Sequence, residues 1–223
     1  VKVSPDVAVI GAGPAGLSAA LAARRAGASV MLFDAYGRPG GQYYRQPPDR
    51  LSSETKKRQQ AGRRLWREVE SAGVELHPGS QVWNLTRDRV LSAANREGSE
   101  TLEARAVVVA AGAYERVLPF PGWTLSGVIT SGAIQTLLYH DVLPGRRVLV
   151  AGTGPLNLVT AASLLRAGAE VVAVLEGSPL HRLGPGHLLG IWRQWERVRE
   201  GIESLAMLAR RGVPYRVGQG VLA

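Results

Sequence analysis

One glycine pattern occurs twice in this chain, and that repetition limits what the chain can fold into more than any other feature. The first copy runs from Val7 to Asp34 and holds Gly11, Gly13 and Gly16 as G-x-G-x-x-G. The second runs from Arg147 to Glu176. The offset that carries Gly11 onto Gly152 also carries Gly13 onto Gly154, Pro14 onto Pro155 and Arg25-Ala26-Gly27-Ala28 onto Arg166-Ala167-Gly168-Ala169. An internal repeat of this kind predicts two copies of one structural unit.

The context around the first copy identifies the unit. An apolar run, Val7–Ile10, suits a buried parallel strand. An Ala/Leu-rich helix follows and ends at Gly27, and a second apolar run, Val30–Phe33, ends at Asp34. In such a βαβ unit Gly11 makes the tight turn, Gly13 lets a pyrophosphate reach the backbone, and Gly16 lets helix and strand pack closely. The helix N-terminus offers free N–H groups and a positive dipole end to phosphate. Asp34 is placed to accept hydrogen bonds from a ribose. The predicted fold class is α/β, with two Rossmann-like dinucleotide-binding units, the second incomplete.

The second copy departs from the first at two positions. Asn157 replaces Gly16, so helix and strand are expected slightly further apart. Strict counting puts Leu175 opposite Asp34, with Glu176 one residue later. Glu176 reaches a ribose if the turn is one residue longer. An acid there repels a 2′-phosphate, which favours NAD(H) or an adenine nucleotide over NADP.

Between the copies, Ala35–Arg50 is expected as a loop and Leu51–Ala72 as a surface helix ended by Gly73. Val74–Leu76 and Ser80–Leu85 read as strands. Arg89–Ser92 and Thr101–Glu103 read as a short hairpin. Ala106–Ala111 reads as a central strand emptying into a turn at Gly112. Arg116–Gly127 is rich in Pro and Gly and reads as a connector, with a short helix over Ser131–Tyr139. After the second copy, Gln194–Arg211 has apolar residues spaced by three or four and predicts a helix, followed by strands at Tyr215–Val217 and Val221–Leu222. The domain expectation is 1–115, a connector over 116–128, and 129–223.

Composition excludes several classes. The chain has no cysteine, so it carries no disulfide, thiolate metal site or iron–sulfur ligand of its own. The net charge of +9 is compatible with acidic partners or nucleic acid. The arginine pairs (24/25, 63/64, 146/147 and 210/211) are scattered, mostly at helix ends or before strands, where solvated faces are expected. No basic stripe with interleaved aromatics points to nucleic acid. His77, His140, His181 and His187 lack metal-ligand spacing, so no metal is expected. The uncharged runs Val117–Tyr139 and Val148–Leu165 are broken by Pro and Gly and read as strand-turn-helix pieces, not membrane spans. Only six residues precede the first strand, too few for a leader. A soluble, cytoplasmic chain is therefore expected.

The two units, the loop motif Gly40–Gln42 and the Ala110–Gly112 turn resemble the two-dinucleotide-binding-domain flavoproteins of the pyridine nucleotide-disulfide oxidoreductase superfamily. Three longer segments, GGQYYRQ, AAGAYERVLPFPGWTLSGVITSGAIQTLL and VLVAGTGPLNLVTAASLLRAGAEVVAV, look like the FAD subunits of bacterial amine and imino-acid dehydrogenases. That group includes the opine oxidase A subunit, the hydrogen cyanide synthase B subunit and the alpha subunit of dye-linked L-proline dehydrogenase. The chain resembles the N-terminal half of such a protein. The resemblance implies FAD in the first unit, held by Gly11, Gly13, Pro14, Ala15 and Gly16. Asp34, Ala35 and Arg38 would lie at the adenosine ribose and beyond it, and Val82 by the adenine. Gly41 and Gln42 would approach the ribityl chain and ring, with Ala111 and Gly112 closing the other side. In the second unit it implies NAD(H) or an adenine nucleotide at Gly152, Gly154, Pro155 and Glu176. It also implies a catalytic partner subunit in a hetero-oligomeric dehydrogenase. The missing cysteine pair separates this chain from the disulfide reductases of the superfamily. No side chain stands out as a catalytic acid or base. A standalone NADH-dependent flavin reductase and a non-catalytic nucleotide-binding subunit remain open at this point.

Overall fold

The computed structural model describes residues 4–45, 57–178 and 195–221. It divides into two compact units, Val1–Tyr114 and Glu115–Ala223. Leu51–Lys56, His181, His187, Gln194 and Leu222, each named above, lie outside the described residues.

The first unit is built on a parallel sheet of four strands: β1 (Val7–Ile10), β2 (Val30–Asp34), β3 (Glu75–Pro78) and β7 (Ala106–Val109), in the order β3-β2-β1-β7. Helices α1 (Pro14–Arg25) and α2 (Lys57–Ser71) cover one face. An antiparallel meander, β4 (Gln81–Leu85), β5 (Val90–Asn95) and β6 (Gly98–Glu103), belongs to the other. The pleat assigns the side chains. Val9, Val30 and Leu32 pack with Leu17, Ala20, Leu21 and Val69 on the helical side. Ala8 and Phe33 pack with Leu91, Ala93 and Leu102 on the meander side. Cover on both faces is why β1 and β2 read as continuous apolar runs. Phe33 is 1% exposed, and burying a side chain of that size contributes roughly 1.5–3 kcal/mol.

The meander is longer than the sequence suggests. Its central hairpin pairs Val90–Asn95 with Gly98–Glu103. Asn95 Oδ1 accepts from the N–H groups of Glu97 and Gly98, so the turn is tighter than the AANREGSE stretch implies.

The second unit has a parallel three-stranded sheet in the order β10-β9-β8. Its strands are β8 (Arg147–Gly152), β9 (Glu170–Glu176) and β10 (Tyr215–Val217). Helix α4 (Leu156–Arg166) packs on it, and α3 (Ser131–Tyr139) and α5 (Trp195–Arg210) contact α4. Ile134, Leu164, Val174 and Leu208 meet in this core. Thr130 caps α3, its hydroxyl accepting from Ala133 N–H at 3.3 Å, while Glu115 accepts from Gly132 N–H at 2.8 Å. Val221 is not in a strand; with Gly218 and Gly220 beside it, the chain leaves the sheet after Val217. No helix among the described residues is long and apolar enough to cross a membrane.

Candidate nucleotide sites

In the first unit, Gly11 takes φ +104, a conformation that L side chains rarely adopt. A Cβ there would lie 2.4 Å from the carbonyl oxygen of Ala110. That contact places Ala110 and Ala111 directly beside the turn. Gly16 is sterically stricter still, since its Cβ would stand 1.8 Å from the Gly11 carbonyl. Gly13 differs from both. A Cβ there would meet only the Gly41 Cα, at 3.9 Å, which is ordinary contact. Packing within the protein requires glycine at 11 and 16 but not at 13.

Gly13 is the N-cap of α1, and no side chain caps the helix. The first turn of α1 holds no acid. Uncapped N–H groups, a positive dipole end and room over Gly13 suit a phosphate. This arrangement fits the pyrophosphate of a dinucleotide.

Asp34 faces this turn from the end of β2. Its Oδ2 accepts from Ala12 N–H at 2.5 Å and its Oδ1 from Tyr36 N–H at 2.7 Å. A carboxylate has about four acceptor sites, so capacity remains for ribose hydroxyls. Beyond Asp34 the chain folds back onto the turn. Gly40 N–H donates to the Ala12 carbonyl at 2.8 Å, and Gly41 lies against Gly13. Gln42 continues from there and its Oε1 accepts from Arg45 at 3.1 Å.

Gly11, Gly13, Pro14, Gly16, Asp34, Gly41 and Ala111 are thus brought together. Ala35 and Arg38 are exposed in the loop after β2. Val82 is half-buried against the Ala8/Phe33 core. Ser80 N–H donates to the Asp34 carbonyl at 2.8 Å, tying the start of that strand to the acid. Ala12 and Tyr36 carry no sequence signal because both act through backbone N–H groups.

In the second unit Glu176 is 6% exposed. Gly154 N–H donates to both its carboxylate oxygens, at 3.2 and 3.0 Å, and Ser178 N–H donates to Oε1 at 3.0 Å. Burial, with the charge of Glu176 adding to it, pushes the Tyr215 hydroxyl above its ordinary value. The extra residue that positions Glu176 lies in strand β9 instead of the turn. Val148 pairs with Val171 but Leu149 pairs with Ala173, so Val172 is bulged out.

The two glycine turns follow different paths. In the second, Gly154 takes the positive φ, at +106, while the first uses Gly11. The helix begins after Pro155, its N-cap. Asn157 is 5% exposed, and its amide lies where a Cβ on Gly152 would meet it at 3.1 Å. Its counterpart in the first copy, Gly16, lies against the Gly11 carbonyl with no room for a side chain. Asn157 Nδ2 is buried without a hydrogen-bond partner, a state that costs roughly 1–3 kcal/mol.

The family model described as pyridine nucleotide-disulphide oxidoreductase matches residues 5–185. The chain belongs to that family. Proteins of this family bind FAD, and FAD is the cofactor that membership brings.

Among the relatives, the opine oxidase A subunit of Agrobacterium tumefaciens (strain Ach5) is 35% identical, over 96% of this chain and 49% of that protein. The HcnB subunit of hydrogen cyanide synthase from Pseudomonas aeruginosa is 31% identical, over 96% of this chain and 47% of that one. The chain spans about half the length of the curated relatives it matches. Among solved structures, L-proline dehydrogenase from P. horikoshii shares the fold with a TM-score of 0.64 and 22% identity, over 78% of this chain and 36% of that chain.

Proposed function

We propose that this flavoprotein chain serves as part of the FAD subunit of an amine or imino-acid dehydrogenase of opine, proline or glycine type. The observation that carries the reading is the open turn at Gly13, uncapped at α1 and bordered by Asp34. The relatives named as opine oxidase and hydrogen cyanide synthase subunits supply the reaction class.

On this reading 1–115 is the FAD-binding domain, 116–128 a connector, and 129–223 a second nucleotide domain. Backbone N–H groups of Ala15 and Gly16 hold the pyrophosphate, with Gly11, Gly13 and Pro14 shaping its seat. Asp34 orients the adenosine ribose while it pins Ala12 and Tyr36. Ala35 and Arg38 border the same end, and Val82 the adenine. Gly41, Gln42, Ala111 and Gly112 lead toward the ring. Bound FAD supplies a two-electron acceptor for the substrate's C–N carbon, and the protein supplies binding and orientation. Gly152, Gly154, Pro155 and Glu176 form the second site, for NAD(H) or an adenine nucleotide. A partner subunit completes the dehydrogenase, in the cytoplasm.

The buried Glu176, bonded to Gly154, favours a second reading: a standalone NADH-dependent flavin reductase. A visible spectrum of the purified chain tests the first reading. Flavin bands near one per chain support it. A colourless protein that does not take up added FAD sinks it. Anaerobic NADH then separates the two, because bleaching of the flavin is expected only of the reductase.

A further inference from the structure

The second glycine turn carries a buried polar group with nothing to bond. Among the described residues, Asn157 Nδ2 is the buried side-chain polar atom without a hydrogen-bond partner, and Asn157 as a whole is 5% exposed. Its amide rests against Gly152, where a Cβ would meet Oδ1 at 3.1 Å and Nδ2 at 3.2 Å. A leucine fills a similar volume without the desolvation cost of an unpaired donor. Packing therefore does not account for an asparagine here.

The position of Asn157 on α4 does. It is the second helical residue after the N-cap Pro155, and side chains on a helix lean toward its N-terminus. The amide is thus directed at the turn. Gly152, Thr153 and Pro155 are exposed, and nothing lies within 4 Å of where a Cβ on Gly154 would stand. No side chain caps α4 and its first turn holds no acid, so its positive end is unanswered. Backbone donors at this end are few. Gly154 N–H is committed to the Glu176 carboxylate at 3.0 and 3.2 Å, and Asn157 N–H to the Gly154 carbonyl at 3.3 Å. Pro155 has no N–H.

We infer that Asn157 supplies the further donor, its Nδ2 holding a phosphate oxygen of the nucleotide at this turn. The inference rests on the reading of the second unit as a nucleotide site and names the side chain that grips the ligand there. The uncapped helix end selects an anion, and a phosphate has oxygens enough to accept from a helix N–H and from the amide together. Rotation about the Cα–Cβ bond carries the amide from Gly152 to the bound group. The ligand then removes a cost that the free chain carries, so replacing Asn157 has opposite effects on stability and on affinity.

ADP is the probe, because it carries the adenosine and pyrophosphate that NAD(H) and adenine nucleotides share. The sequence has three asparagines, Asn84, Asn95 and Asn157. NMR of the isotope-labelled chain therefore resolves their side-chain amides, and N157D, which has no amide, assigns that of Asn157. ADP shifts the Asn157 side-chain amide together with the backbone amides of Gly154 and Leu156, and leaves the Asn84 and Asn95 side chains in place. This readout is local to the second unit, whatever the first turn holds. Asn157→Leu raises the Tm of the free chain by about 2–4 °C and weakens ADP binding, read from the Gly154 and Leu156 shifts, by about tenfold or more. Movement of Gly154 and Leu156 with a static Asn157 side chain overturns the inference and leaves the nucleotide site standing. Movement of none of the three overturns both. A lower Tm in N157L with unchanged ADP affinity makes Asn157 a packing residue and also overturns the inference. The wild-type titration decides by itself if N157L does not fold.

Discussion

Glu176 stands opposite Gly152 in the β8–β9 ladder, although counting along the repeat puts Leu175 there. The bulge at Val172 makes the difference. Val171 and Val174 both face the α4 core, a spacing of three that a regular strand cannot give. Beyond the bulge the pleat resumes, and Glu176 shares the buried side with Val174. The acid then occupies the place that Asp34 holds at the end of β2.

A deletion tests this. Removing Val172, which is 41% exposed, leaves Glu176 opposite Gly152 and the Gly154 N–H still bonded. The expected stability change is within about 1 kcal/mol. Removing Val174, which is fully buried, draws Ala173 into the core and costs roughly 2 kcal/mol or more. Chemical denaturation gives the stabilities, and hydrogen exchange at the Gly154 amide reports the bond. Loss of Gly154 protection in the Val172 deletion overturns the register.

The glycine turn offers a sharper contrast. Gly16→Ala puts a Cβ into the Gly11 carbonyl, so the fold itself is expected to suffer by several kcal/mol, on the order of 3. Gly13→Ala meets only ordinary contact with Gly41. It is expected to fold with near-native stability while losing FAD affinity by about tenfold or more. Melting curves and flavin titrations on both variants distinguish a structural glycine from a ligand-facing one. Equal stability loss at both positions would falsify the distinction.

Asp34→Asn keeps the side-chain shape but removes the charge that holds Ala12 and Tyr36. Hydrogen bonds to a charged group contribute roughly 1.5–3 kcal/mol, so the loop after β2 is expected to loosen. Faster exchange at the Ala12 and Tyr36 amides, with weaker FAD binding, is the expected result. Unchanged exchange at both amides contradicts the role assigned to the carboxylate.

These cases show where sequence reading stops. The β1-α1-β2 unit was legible because its glycines, apolar runs and acid are local and each has a steric or chemical reason. The bulge at Val172 was not. In EVVAVLE every central residue is apolar, so any of them could be the extra one, and only pairing with β8 selects it. Ala12, Tyr36 and Gly40 act through the backbone, which leaves no residue-type signal. The seat of Gly41 on Gly13 depends on a loop folding back, which composition marks as a turn but does not aim. The two GxGP turns look alike in sequence yet take their positive φ at different glycines: Gly16 lies tight against the Gly11 carbonyl, an approach that its counterpart Asn157 cannot make with its side chain.

Acid stability of the first unit draws on a carboxylate outside the glycine turn. Asp6 precedes β1 and holds three segments together. It accepts from Ser29 N–H at 2.9 Å and from the Ser29 hydroxyl at 2.8 Å, and it pairs with Arg105, which precedes β7, at 2.9 Å. The backbone bond from Ser29, then its hydroxyl, then Arg105 hold the carboxyl below the usual carboxylate value. A folded pKa below the unfolded one means that the unfolded chain binds more protons between the two values. The contribution is therefore complete above the unfolded pKa, about 3.9, and is lost as pH falls through the lower folded value. Asp6→Asn lacks that proton uptake. Denaturation midpoints for wild type and D6N are expected to differ at pH 6 and to converge below about pH 3.9. A gap that persists undiminished at lower pH rules out Asp6 as the source of the acid sensitivity.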